Sequence, residues 1–385
     1  MSCKSNLITK ITNKISDIPE NDWKKVFPDV LENYNYFKAL DESSFEGFSF
    51  FYIMIYDNNI PVGATACFLM DFPLDITVTG VLKFFLNIVK KPFPNILNCR
   101  SIMCGLPMGQ GRIGITANNK DAFDSIVNAL NKLAKVNKAS AVIFKDFIES
   151  YDGMLKPLLD RGYIKLESLP STDMEINFSN FEDYLKILSK SSKDNLRRNL
   201  KKVDEKVKID LIVKNHLDTD ELRDVYELYL QTYKKQDLGL EKLPKEFFSA
   251  VPRNMPQESK FFLWKVRGKL VSFALCLTDG SYFIDYYLGF DYSLAHEYFL
   301  YFVRFRDLMA WCIEHGIKKY EMGVTTYEPK RRLKFNFIRL YFYIKHRNKL
   351  INYFAGLISH FLKPSNFDPI FEHMDNTVAL QDKKN

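Results

Sequence analysis

Residues Ser281–Arg332, SYFIDYYLGFDYSLAHEYFLYFVRFRDLMAWCIEHGIKKYEMGVTTYEPKRR, hold one strand, one long helix and a second strand in succession. Tyr282 to Leu288 form an aromatic, β-rich run that stops at Gly289, which predicts a strand ending there. Phe299, Phe302, Val303, Leu308, Trp311 and Cys312 then recur at helical spacing, and His315-Gly316 supplies a C-terminal stop, so a helix is expected over 295–315. A second strand is expected from Lys318 to Val324, with Tyr327 and Lys330 in a polar segment just past its carboxyl end. A β-α-β unit of this kind brings the loop after the first strand beside the end of the second. Open α/β sheets bind ligands in such crevices.

Upstream, strands are expected at Lys260–Arg267 and Leu270–Leu277, joined through Gly268-Lys269, and before them a strand at Val207–Val213. Helices are expected at Phe181–Leu188, from a Ser192 cap along the stripe Leu196, Leu200, Val203 and Val207, at Glu221–Tyr233, and from Pro244. The first half has a similar order. A helix over Asp22–Ala39 precedes a hairpin of Phe48–Tyr56 and Pro61–Phe72 that turns on Asp57-Asn58-Asn59. An apolar and basic insertion over Asp75–Asn98 reads as an amphipathic helix. Strand Arg100–Cys104, helix Asp121–Val136, strand Ser140–Phe147, helix Met154–Asp160 and two extended pieces, from Ile164 and from Asp173, complete that half. Each half therefore contains helix, hairpin, strand, helix, strand.

Four pieces, Y-Y-L-G-F-D (286–291), H-E-Y-F-L (296–300), E-H-G-I-K (314–318) and E-M-G-V-T-T-Y-E-P-K (321–330), resemble the C-terminal half of the BioF2-like and FemAB-like acyltransferases of the GNAT (N-acyltransferase) superfamily. S-K-S-S-K-D-N-L-R-R-N-L-K-K (189–202) also resembles the stretch before the second domain in that group. The resemblance implies an α/β fold with mixed sheets, built as two tandem GNAT-like domains. These are expected at 1–175 and 176–367, the second carrying a basic-aromatic extension, with a polar tail at 368–385. It implies transfer of an acyl group from acyl-CoA, as co-substrate rather than bound cofactor, to an amine on a small molecule, peptide or lipid-linked acceptor. The second domain has Asp291-Tyr-Ser-Leu-Ala-His-Glu where acetyl-CoA enzymes of the superfamily carry a glycine-rich pyrophosphate loop. An aminoacyl-tRNA donor, as in FemAB-like relatives, therefore stays open beside acyl-CoA, and so does a non-catalytic member of the fold that holds membrane or RNA.

Acyl transfer to an amine needs the amine neutral, a donor for the tetrahedral oxyanion and an acid for the leaving group. Candidate catalytic residues are Asp285 as base or orienter of the amine, Tyr327 as acid, and Glu321 on the second strand. Lys330, Tyr286, His296, Arg197 and Arg198 are candidate donor or substrate contacts, the paired arginines because guanidinium forks bind anions bidentately. For Asp285 and Glu321 the competing reading is an ion pair with a neighbouring cation, and for the tyrosines a core position. By strand alternation Asp285 and Tyr286 should face opposite sides of the sheet.

Gly109, Gly111 and Gly114 fit G-x-G-x-x-G, but ITANN delays the next helix to Lys120 and the nearest candidate acid, Asp146, lies too far along for a dinucleotide fold. These glycines are expected to bring backbone amides close to an anion or to another strand, or to make a tight turn. The net charge of +7 on 385 residues implies no nucleic acid by itself. From Pro329 to Phe367, however, nine Lys or Arg and many aromatics occur with no acid. That run suits RNA, an anionic membrane surface, or a helical hairpin packed on the second domain. The six cysteines lack metal spacing and read as buried thiols, so no metal is expected. Without a secretory leader or a long apolar run, the expected place is the cytoplasm, with peripheral contact at the inner face of the membrane left open.

Overall fold

A computed structural model describes residues 7–73, 98–116, 119–235, 241–324, 326–359, 363–366 and 369–371. They fall into two units. One is drawn from Met1–Asp41, Phe45–Leu169 and Arg339–Asn385, the other from Glu42–Ser44 and Pro170–Ile338. In chain order the first unit contains β1 (Leu7–Thr12), α1 (Glu20–Val26), α2 (Tyr34–Glu42), β2 (Ser49–Asp57), β3 (Ile60–Pro73), β4 (Asn98–Cys104), β5 (Gly114–Ile115), α3 (Lys120–Val136), β6 (Ala141–Ile148), α4 (Asp152–Leu155), α5 (Pro157–Asp160) and β7 (Ile164–Glu167). The second contains β8 (Ser171–Glu175), α6 (Phe181–Leu185), α7 (Lys190–Lys206), β9 (Ile209–Lys214), α8 (Thr219–Lys235), α9 (Phe247–Asn254), β10 (Ser259–Val266), β11 (Lys269–Thr278), β12 (Tyr282–Phe290), α10 (Leu300–Glu314), β13 (Lys319–Glu321), α11 (Tyr327–Arg332) and β14 (Asn336–Ile338). The chain then returns to the first unit with β15 (Leu340–His346) and α12 (Lys349–Ile358). Apart from Glu42–Ser44, the second unit is thus one segment of sequence that falls between two strands of the first. The division falls at Leu169/Pro170 rather than 175/176, and residues 339 onward belong with the first unit.

The first sheet runs β1-β2-β3-β4-β6-β15-β7, with β5 on β3, and the second runs β14-β8-β13-β12-β11-β10-β9. Each has one parallel pair, β4 with β6 and β12 with β13, and each pair is bridged by a helix, α3 or α10. Everything else is antiparallel, which short connections allow. The β2–β3 turn forms as its residues predict: Asn58 and Asn59 take φ of 49° and 65°, the left-handed pair that a two-residue hairpin loop requires.

Four expectations are corrected. Asp22–Ala39 is two helices, because the residue before Pro28 is driven out of helical geometry: Phe27 caps α1 with φ −128° and ψ 70°. The cap of α7 is Ser189, whose hydroxyl accepts from the Ser192 amide. The helix expected over 295–315 begins at Leu300, after a series of turns in which Phe299 has φ 45°. Strand β12 continues through Gly289 to Phe290, and the glycine serves packing instead: a Cβ there would lie 2.4 Å from the Phe273 ring and 2.7 Å from the Leu228 carbonyl carbon of α8. The basic-aromatic run also holds a strand, β15, between β6 and β7, where a helical hairpin on the second unit was one expectation. The expected insertion helix at 75–98 lies, but for Asn98, outside the described residues.

Each unit has its own apolar core. In the first, Ile53, Cys104, Ile126, Leu130, Phe144 and Tyr343 join sheet and α3. In the second, Trp264, Phe283, Leu308, Met309, Cys312 and Tyr320 join sheet and α10. The five described cysteines are free and buried, as their apolar neighbours predict. Among the described residues no helix is long and apolar enough to cross a membrane, and no cluster of three metal-ligating side chains occurs.

Candidate functional site

The parallel pairs define the two crevices. In the second unit, β12 and β13 pair only from Tyr282/Lys319 to Ile284/Glu321, so the strands part at Asp285, beyond which β12 alone continues. On its other side β12 has a bulge: Cys276 opposes Asp285 and Leu275 opposes Tyr287, leaving Tyr286 as the extra residue. The bulge reverses the alternation. Phe283 and Asp285 face α10, whereas Tyr287 packs on Phe247 and Tyr229 of the opposite helices, with ring centroids 5.5 and 6.5 Å away. Strand alternation alone misplaces every side chain after Tyr286.

Beneath the parting strands lies a buried polar cluster. Arg304 projects from the apolar stripe of α10, is fully enclosed, and donates through Nη2 to Asp285 Oδ2 at 2.5 Å. Tyr320 Oη reaches the same oxygen at 3.4 Å. Asp285 Oδ1, Arg304 Nε and Nη1, and Tyr301 Oη are enclosed and have no hydrogen-bond partner in the structure. Glu321, also buried, accepts from Ser171 at 2.7 Å and from the Tyr282 hydroxyl. Lys330 of α11 closes the group. Only 3% exposed, its ammonium donates to the carbonyls of Met322, Gly323 and Val324 at 2.9, 3.0 and 3.3 Å, beyond the end of β13. Burial draws its pKa down from the ordinary 10.5 to about 7, although Asp285 and Glu321 pull the other way.

That depression has a measurable sign. Between about pH 7 and the unfolded value the unfolded chain binds a proton that the folded chain does not, so Lys330 makes stability rise as pH rises through this window. The stability difference between wild type and Lys330→Met, taken from urea unfolding at several pH values between 7.5 and 9.5, is expected to grow by about 1.4 kcal/mol per pH unit. A constant difference across that range would mean that Lys330 stays protonated in the folded chain, held by its three carbonyl acceptors.

Tyr327 stands at the accessible edge of this cluster. It is half-buried, its hydroxyl donates to the Pro170 carbonyl at 3.0 Å, and Lys330 Nζ lies 5.9 Å from its ring centroid. Asp285, Glu321, Tyr327 and Lys330 are therefore brought together, with Asp285, Glu321 and Lys330 enclosed. Asp285 takes the ion-pair role that was its competing reading. Tyr286 is buried in the bulge with its ring against Tyr287. His296 is exposed on the turn before α10, while Arg197 and Arg198 are exposed on α7, bonded to Glu182 and Asn195.

The first unit's crevice is filled by its own chain. After β4 the Gly105 amide bonds to the Ala66 carbonyl at 3.0 Å and the Gly111 amide to the Asp146 carbonyl at 2.9 Å. A Cβ on Gly111 would lie 2.2 Å from the Lys145 carbonyl oxygen and 2.5 Å from the Phe147 ring. Of the readings open to these glycines, Gly111 matches close approach to a strand, while Gly109 takes φ 90° in the same loop. The turns before α10 are likewise closed: the amides of Leu294 and Ala295 bond to the Asp291 carbonyl, Ser293 to the Asp291 carboxylate and Tyr292 to the Gln231 side chain.

Sequence reasoning missed Arg304, Tyr301, Tyr320 and Tyr282. Arg304 had a signal, being a lone cation between Leu300 and Leu308 on an otherwise apolar helix face.

The FemAB-like family model, described as peptidoglycan biosynthesis/recognition, matches residues 105–367. A Mycobacterium tuberculosis protein named for 8-amino-7-oxononanoate synthase 2 is 20% identical over 313 residues. That match takes in 78% of this chain, which spans 40% of the relative's length. Among solved structures, FemX aligns with 91% of this chain and 100% of its own at a TM-score of 0.54 and 13% identity. A tandem GNAT protein from the clavulanic acid biosynthesis pathway aligns with 89% of this chain and 98% of its own at 0.51 and 9%. At these identities the two structures speak to the fold alone, and that fold is the tandem GNAT-like α/β arrangement with mixed sheets.

Proposed function

Because this chain belongs to the FemAB-like family, we propose that it is a transferase that moves an acyl or aminoacyl group from an activated carrier to the amine of an acceptor, using the crevice of its second unit. One observation carries the reading. Of the two places where parallel strands part, the second unit's gathers Asp285, Arg304, Glu321, Lys330 and Tyr327, and the first unit's is occupied by its own glycine loop.

In this reading the acceptor nitrogen attacks the carbonyl carbon of a thioester or ester. A C–N bond forms, the C–S or C–O bond breaks, the nitrogen loses a proton and the leaving sulfur or oxygen gains one. Tyr327, the accessible hydroxyl of the cluster, gives that proton to the leaving group and is restored by the proton that the nitrogen loses. Lys330 beside its ring, in its protonated form, compensates the negative charge that develops on the phenol oxygen. Asp285 and Arg304, enclosed below, hold the end of β12 and the charge balance around Lys330 rather than touching substrate.

Acyl-CoA is the superfamily's default donor. An aminoacyl-tRNA ester is the alternative donor: the amides of Gly105 and Gly111, and those of residues 292–295 before α10, already bond within the chain instead of facing a pyrophosphate. The acceptor class is an amine-bearing small molecule, peptide or lipid-linked precursor. Thermal unfolding of the purified chain with CoA, acetyl-CoA, long-chain acyl-CoA and aminoacylated tRNA tests the donor. A true donor at a hundred times its Kd adds about 2.7 kcal/mol. Stabilisation by charged tRNA alone supports the ester reading and stabilisation by an acyl-CoA supports the thioester, while a chain indifferent to all four is not a transferase of this kind.

A further inference from the structure

Helix α12 is mounted inside out. Its N-terminus is capped by Asn348, which accepts from the amides of Leu350 and Ile351 at 2.9 and 3.2 Å. Its small and polar side faces the first unit: Asn352 donates to the Gly162 carbonyl at 3.0 Å and accepts from the His346 amide at 2.8 Å, and a Cβ on Gly356 would be in ordinary contact with Ile164 at 3.8 Å. The opposite side carries Leu350, Ile351, Tyr353, Phe354, Leu357 and Ile358, each between 46% and 65% exposed. These are six of the fourteen exposed large apolar residues among those described, on a single ten-residue helix. The hydrogen bonds of Asn352 fix which side turns outward, and among the described residues the apolar face has no partner.

We propose that α12 docks this chain on an anionic phospholipid surface, lying in the plane of the headgroups with its apolar side toward the acyl chains. Ten helical residues span about 15 Å, half the hydrocarbon thickness, so the helix can lie on a bilayer and cannot cross it. Its charge specifies the partner. Arg347 and Lys349 are exposed at its N-terminal end, where the helix dipole is also positive, and no acidic residue occurs between Pro329 and Phe367. A second copy offering the same face would set cations against cations with no carboxylate in the run to answer them, whereas anionic headgroups beside an apolar layer match both features. This surface is independent of the transfer chemistry proposed above.

Co-sedimentation of the full chain with phosphatidylcholine vesicles, with and without phosphatidylglycerol, tests the assignment. Phe354→Glu/Leu357→Glu and Arg347→Gln/Lys349→Gln change exposed side chains, and circular dichroism confirms that each variant is folded. Wild type is expected to bind the phosphatidylglycerol vesicles, less at high salt. The Glu pair weakens binding by at least about ten-fold, and the Gln pair weakens it in the same direction. Failure of wild type to bind, or undiminished binding by the Glu pair, overturns the proposal. A lipid-free dimer abolished by the Glu pair also overturns it and gives the face to a second copy.

Discussion

Asp285→Ala is expected to lower the unfolding free energy by about 3–5 kcal/mol, the cost of leaving a buried charge without its counterion. Arg304 is fully enclosed, Asp285 accepts from its Nη2, and its Nε and Nη1 have no hydrogen-bond partner in the structure. Removing the carboxylate strands a cation among Trp264, Phe290 and the apolar face of α10. Two further variants separate charge from volume. Asp285→Asn keeps an acceptor and should cost less than Ala, and Asp285→Leu with Arg304→Met, which removes both charges, should recover most of the loss. Urea unfolding reads all three. An Ala variant within about 1 kcal/mol of wild type would mean that Arg304 has water or another partner.

Tyr327→Phe is expected to lower the single-turnover transfer rate by about 10²–10⁴-fold, the usual contribution of a positioned proton donor. Its effect on stability should be small, about 1 kcal/mol, since the hydroxyl's hydrogen bond to the Pro170 carbonyl is the bond lost. The ring contact with Phe337, 5.5 Å between centroids, is kept. A rate that falls with no change in donor affinity assigns the hydroxyl to the chemical step. A rate unchanged within about two-fold would remove Tyr327 from that step and leave it as a support for the chain near Pro170.

How much of this was legible in the sequence depended on whether one local pattern decided the outcome. The Asn58-Asn59 turn was legible, because two asparagines at positive φ admit few alternatives. So was the β12-α10-β13 unit, where helical spacing follows a strand and ends at His315-Gly316. The reversal at Tyr286 was not, since one extra residue in β12 is defined by its pairing with β11 and leaves no mark in β12 itself. Lys330, expected as a donor contact, sits in the polar run K-R-R, where nothing local signals burial. Its burial follows from three carbonyls converging past the end of β13, a tertiary arrangement. The insertion of one unit into the other was hidden for a similar reason: Leu340–His346 reads as basic and aromatic surface until β6 and β7 are known to flank it. Arg304 could have been found from its place on the helix, and its ion pair with Asp285 supplies the neighbouring cation that Asp285's competing reading required.

The most direct measurement is the mass of an acceptor amine after incubation with wild-type chain and whichever donor stabilises it. The central claim predicts an acceptor heavier by the acyl or aminoacyl group, formed as the donor is consumed in equal amount, and formed far more slowly by Tyr327→Phe. An acceptor of unchanged mass beside intact donor, with the donor bound, would contradict it and leave this fold as a binding module.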